Sequence, residues 1–154
     1  TFNYLSENNL LNYNDFQQHM EDVANSLQTA EQRSHELDTE LSKQKIIQKH
    51  CESYRACRKI VERGKQVPNP KVYKSKHQSE YQLHDTLKQQ LQELGITKLP
   101  SQERQNSIIA NLEKELTGIL QEKQDLKKRY STLQVIQETL TAYYLPKINQ
   151  TLSK

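Results

Sequence analysis

The stretch FQQHMEDVANSLQTAEQRSHELDTEL, residues 16–41, carries its apolar side chains at Phe16, Met20, Val23, Leu27 and Ala30, then, past Ser34, at Leu37 and Leu41. The spacing alternates between four and three. Only an α-helix brings residues so spaced onto one face, and so narrow a stripe is a coiled-coil seam. Most positions between are Gln, Glu, Asp, Asn or His, which face water. The chain is therefore read first as long helices that each bury one stripe.

Past Leu41 the phase slips, and the next seam reads Ile47, His50, Tyr54, Cys57 and Val61. Such a slip marks a helix that changes partner or kinks between 41 and 47. The predicted helix runs over 13–63, about 75 Å at ~1.5 Å per residue. Asn12 suits its N-cap, with Asp15 as a capping-box partner, and Gly64 suits its C-terminal cap. Residues 2–8 read as a short helix through Phe2 and Leu5.

Breakers divide the rest. Residues 65–69 form a tip loop, and Asn69 before Pro70 opens a second helix, because proline is tolerated at the first helical position. That helix runs to about Leu94 and shows one face through Tyr73, His77, Tyr81, His84, Leu87, Leu91 and Leu94. Gly95 ends it, and Ile96 folds back onto it. After a loop from Thr97 to Ser101, the third helix runs from Gln102 to Tyr144. Its seam is Ile109, Leu112, Leu116, Ile119, Lys123, Leu126, Tyr130, Leu133, Gln137, Leu140 and Tyr144. Lys123 and Gln137 cost stability if fully buried and are read as tuning partner, register or oligomeric state. Pro146 is expected to stop the helix.

The predicted fold is all-α: an elongated antiparallel helical bundle or coiled coil of three long helices, with a short N-terminal helix. Its parts are a connector region at 1–12, the helical domain at 13–145 and a tail at 146–154. Short loops make successive helices antiparallel neighbours. The middle helix is about half as long as the others, so the first and third extend past it. They pair there with each other, with residues 1–10 or with a second chain.

Composition narrows the class. Hydrophobic residues make up 33% of the chain, too little for a thick globular core. No apolar run approaches the ~18 residues of a membrane span, so no membrane insertion is expected. No basic flank with an apolar run opens the chain, so no signal peptide is read, and the start at Thr1 suggests an excised fragment. Cys51 and Cys57 make no disulfide framework, which points to a reducing cytoplasm.

Charge is strongly segregated. Between Lys43 and Lys76 lie eleven Lys or Arg residues and only two acids, Glu52 and Glu62, while the whole chain nets +3. The block surrounds the breakers Gly64, Pro68 and Pro70, and so wraps the tip of a helical hairpin. Lys45, Lys49, Lys59 and Arg63 form a stripe roughly opposite the seam, and Arg55 and Arg58 lie in the same segment. Lys65, Lys71, Lys74 and Lys76 continue the patch around the turn. These ten residues are the candidate contacts to a polyanion, with nucleic acid, single- or double-stranded, first in line and a merely solubilising tip as the alternative. No base-reading helix-turn-helix is recognisable, so backbone contact is expected. Tyr73, beside the loop, has two readings: packing, or stacking on unpaired bases.

Other chemistry is not indicated. There is no glycine-rich phosphate loop and no serine–histidine–acid arrangement. His50, Cys51, Cys57, His77 and His84 match no dense ligand motif, so no metal or other cofactor is assigned. No catalytic residue is assigned either.

The order of segments resembles the C-terminal helical region of conjugative relaxases, the mobilisation proteins of Gram-positive mobile elements. The first stretch is Asn3-Tyr4-Leu5 through Glu7, Leu10, Tyr13 and Asp15-Phe16. The second is His50 to Val61 with Tyr54, Arg55 and Arg58, followed by the lysine-containing turn. The third is His77 with Glu80, then Leu94-Gly95-Ile96-Thr97-Lys98-Leu99-Pro100, similar to the family's LG..KLP link. The fourth is Leu112-Glu113 with Leu116, Leu120, Glu122-Lys123, Leu126 and Tyr130. The resemblance covers most of 1–145. It implies a bacterial cytoplasmic role in the mobilisation of a plasmid or integrative conjugative element. It also implies a DNA-nicking transesterase parent whose catalytic domain lies outside this chain. DNA, relaxosome accessory proteins and the coupling protein are the implied partners.

Two functions follow as expectations. In one, a non-catalytic relaxase domain holds the DNA backbone with its basic tip. In the other, the third-helix seam at Leu112, Leu116, Ile119, Leu126, Leu133 and Leu140 forms a homodimer or docks a relaxosome or coupling protein.

Overall fold

The computed structural model describes the backbone of residues 13–152 and the side chains of residues 13–142. The expected helix at 2–8, the Asn12 cap, the first motif of the resemblance before Tyr13 and the Tyr144 side chain lie outside these. Helices α1 (Tyr13–Gly64), α2 (Pro70–Lys76), α3 (Gln78–Glu93) and α4 (Gln102–Leu152) make up the fold, with no strand among the described residues. The fold is an all-α helical bundle, as the periodicity predicts. Contacts group the residues into two units: one takes in residues up to Glu36 and from Glu115 onward, and the other is 37–114.

In the first unit α1 and α4 pair with each other. Phe16, Met20 and Val23 pack with Leu133 and Ile136, and Leu126, Tyr130 and Leu140 close around them. Phe16 and Leu133 are fully enclosed, and each such side chain contributes about 1.5–3 kcal/mol by leaving water. The polar contacts give the direction. Arg129 Nη2 lies 2.9 Å from His19 Nε2, Lys123 Nζ reaches Glu31 at 4.0 Å, and Arg33 Nη2 donates to Glu115 at 2.6 Å. Numbers fall along α1 as they rise along α4, so the pair is antiparallel. Lys123 keeps its place in the seam because its ammonium exits to that carboxylate. At Ser34 the hydroxyl donates to the Glu31 carbonyl at 2.8 Å, which satisfies a buried polar group within its own helix.

The second unit contains the hairpin. Ile47, Cys51 and Leu91 form its core, with Tyr54, Leu94, Ile96 and Leu99 packed against them. Asn69 caps α2, its side chain accepting from the Val72 amide at 3.4 Å. Past α3 the chain reverses in a Schellman turn. The Ile96 amide donates to the Leu91 carbonyl at 2.8 Å and the Gly95 amide to Gln92 at 3.0 Å, with Gly95 at φ 83°. Ile96 folds back onto the core as expected. Ser101 Oγ then caps α4, accepting from the Arg104 amide at 3.1 Å.

Four sequence expectations are corrected. The helix predicted over 70–94 is broken at His77, where φ is −117° and ψ is 30°. Tyr73, before this break, and Tyr81, after it, both approach Gly64. Gly64 ends α1, but only Gly95 among the described glycines has positive φ, so Gly64 serves close approach and not a left-handed cap. In the seams, Cys51 and Ile136 are buried while their predicted neighbours His50 and Gln137 are only half-buried. Pro146 does not stop α4, which continues to Leu152. Proline there removes one amide donor, but its fixed φ lies within the helical range.

The phase slip has a clear outcome. α1 is unbroken; it packs on α4 near its start and on α3 and the following link near its end, while Lys45 and Gln48 still meet α4 at Glu113 and Asn106.

Candidate nucleic-acid interface

Nine of the ten cations assigned to the tip are exposed: Lys45, Lys49, Arg58, Lys59, Arg63, Lys65, Lys71, Lys74 and Lys76. The helical period explains the arrangement on α1. Arg55, Lys59 and Arg63 recur every fourth residue, so their Cα atoms are spaced ~6 Å apart along one face. With Arg58, Glu62 and Gln66 they line a shallow groove. Lys59 and Arg63 also border a second groove with Ile60, Val67, Tyr73 and His77, where α2 approaches the end of α1.

Three exposed cations have internal partners. Lys45 meets Glu113 at 3.5 Å, Lys65 meets Glu62 at 3.5 Å, and Lys74 Nζ stands 5.6 Å from the Tyr81 ring centroid. The other six, Lys49, Arg58, Lys59, Arg63, Lys71 and Lys76, make no ion pair among the described residues. A patch of exposed, unneutralised cations exerts a field that attracts polyanions and is screened by salt.

Arg55 differs from the rest. It is half-buried, and its guanidinium donates to the Pro100 carbonyl, tying the link before α4 to α1. A charged donor on a carbonyl is a strong hydrogen bond. Arg55 thus has a structural task that the charge pattern alone does not reveal.

The aromatic residues are mostly committed to packing. Tyr54 stacks on His84 with centroids 4.9 Å apart and planes at 21°. Tyr73 lies against His77 at 4.3 Å and is half-buried beside Gly64. Burial, with Glu80 nearby, pushes the Cys57 thiol above its ordinary pKa. Cys51 and Cys57 are both free thiols. Among the described residues no three His, Cys, Asp or Glu side chains converge as metal ligands, and no helix is long and apolar enough to cross a membrane.

The third-helix seam divides. Leu126, Leu133 and Leu140 belong to the α1–α4 cluster of the first unit. Leu112, Leu116 and Ile119 are half-buried. Two cations outside the predicted tip, Lys88 on α3 and Lys98 in the link, border a cleft with Arg58 and Lys65. Charge counting along the sequence misses them because each stands apart from other bases. No protein-family model, curated protein or solved structure matches the chain.

Proposed function

We propose that this chain is a non-catalytic helical domain of a conjugative relaxase, acting in the bacterial cytoplasm, that holds DNA by its phosphate backbone through the basic tip. One observation carries the DNA reading: six exposed cations around the end of α1 and through α2 have no acidic partner among the described residues. The relaxase context rests on the sequence resemblance alone. In this reading the tip positions DNA that another domain of the parent cuts.

The test is a salt series on oligonucleotide binding. With about six to eight phosphates met, the log of affinity falls against log salt with a slope near −5 to −7. Lys59→Glu, Arg63→Glu and Lys71→Glu together should weaken binding and flatten that slope. If binding and slope stay unchanged, the tip does not hold DNA.

The second reading is a docking or homodimer surface on α4. It is favoured by Leu120, which is 48% exposed next to half-buried Ile119 and near half-buried Leu116. A protein that stays monomeric at high concentration and captures neither an accessory nor a coupling protein rules this out.

A further inference from the structure

We infer that the cleft between the end of α1, α3 and the link at 95–100 is a docking site for an acidic peptide with aliphatic anchors. The cleft is half open and encloses about 490 Å³. Four cations line it, Arg58, Lys65, Lys88 and Lys98, against one carboxylate, Glu62. All four are exposed, and Glu62 is paired with Lys65 at 3.5 Å. The excess charge therefore faces whatever enters.

Beneath the rim the wall is aliphatic. Val61, Ile96 and Leu99 line the cleft and are only half-buried. Two of them stand on the link, which is held in place before any partner arrives. The Schellman turn sets Ile96, and Arg55 on the Pro100 carbonyl sets the far end. A wall ordered in advance spares the entropy of ordering it on binding. Aliphatic anchors below and carboxylates around them match this surface in shape and sign.

A nucleic acid fits less well. Single strands gain affinity by stacking bases on open aromatic faces. The aromatic side chains of this cleft, Tyr54 and His84, are stacked on each other, and the His84 side chain is only 15% exposed. The cleft shares Arg58 and Lys65 with the tip, but Lys88 and Lys98 belong to the cleft alone, and Lys59, Arg63 and Lys71 do not line it, so paired variants tell the two apart.

Fluorescence anisotropy tests the site. The probes are a labelled peptide with Asp and Glu flanking two Leu residues, the same peptide with both Leu replaced by Ser, and an oligo-dT strand. The Leu peptide should bind the intact protein more tightly than the Ser peptide. Lys88→Glu with Lys98→Glu, both exposed sites, should weaken it about tenfold or more, whereas Lys59→Glu with Arg63→Glu should leave it nearly unchanged. Leu99→Ser, checked for retained helicity, should erase the difference between the two peptides. Equal binding of the Leu and Ser peptides, or equal loss in both charge variants, overturns the inference. So does oligo-dT binding that is stronger than peptide binding and is lost in the Lys88, Lys98 variant, which would make the cleft a nucleic-acid site.

Discussion

The end of α1 and the side of α3 meet at Gly64 and Tyr81 so closely that a Cβ on Gly64 would lie 2.0 Å from the tyrosine hydroxyl oxygen. Tyr73 blocks the same point, with a ring carbon 3.0 Å away. We expect Gly64→Ala to destabilise the protein by about 1–3 kcal/mol, although alanine is the better helix former. Urea unfolding measures it. In a Tyr81→Phe background the penalty should shrink by about 0.5 kcal/mol or more, the coupling expected of side chains in direct contact. An equal penalty in both backgrounds would show that the hydroxyl is not the obstacle.

Gly95 provides the opposite case. A Cβ there meets nothing within 4 Å, but φ is +83°. Gly95→Ala should cost about 1–2 kcal/mol through backbone conformation alone. Gly95→Asn, a residue that tolerates the left-handed region, should recover part of that in a thermal melt.

Gln105, in the first turn of α4, is 3% exposed, and neither amide atom of its side chain has a hydrogen-bond partner among the described residues. A buried amide without a partner costs about 1–3 kcal/mol. Gln105→Met, of similar length and without the polar atoms, should therefore raise the midpoint of denaturant unfolding. A lower midpoint would mean that the amide is satisfied in solution.

His19 is held below its ordinary pKa, first by burial and then by the Arg129 guanidinium, with Asp22 opposing both. The neutral ring accepts from Arg129. Since the unfolded state binds the proton more readily, stability is complete above the unfolded pKa of about 6.5 and declines as pH falls below it. His19→Gln keeps an acceptor but cannot titrate. Its stability should change less between neutral and mildly acidic pH than that of the unaltered protein.

The seams were legible because their period is local. Every residue from Phe16 to Leu41 read as core is buried except half-buried Leu27, and the whole predicted face from Tyr73 to Leu94 is buried or half-buried. Most of what escaped depends on residues distant in sequence. The break at His77 lies between two tyrosines that approach one glycine on another helix, and no glycine or proline announces it. Cys51 displaces His50 from the core because a helix of 3.6 residues per turn drifts against a strict heptad. At the tip the exposure of the cations followed from their phase against the seam. The diversion of Arg55 to a carbonyl forty-five residues later had no local signal.

The division of the chain into two units has a consequence for how it assembles. Residues 37–114 are continuous, and their helices close through turns of a few residues. The first unit joins segments on either side of them, so Phe16 must find Leu133 across more than a hundred intervening positions. Closing a long loop costs entropy that its contacts repay only once formed, and local contacts form fastest. We therefore expect the hairpin unit to acquire amide protection first in pulse-labelled hydrogen exchange. Its folding gathers the segments on either side and turns a long-range search for Leu133 into a short one.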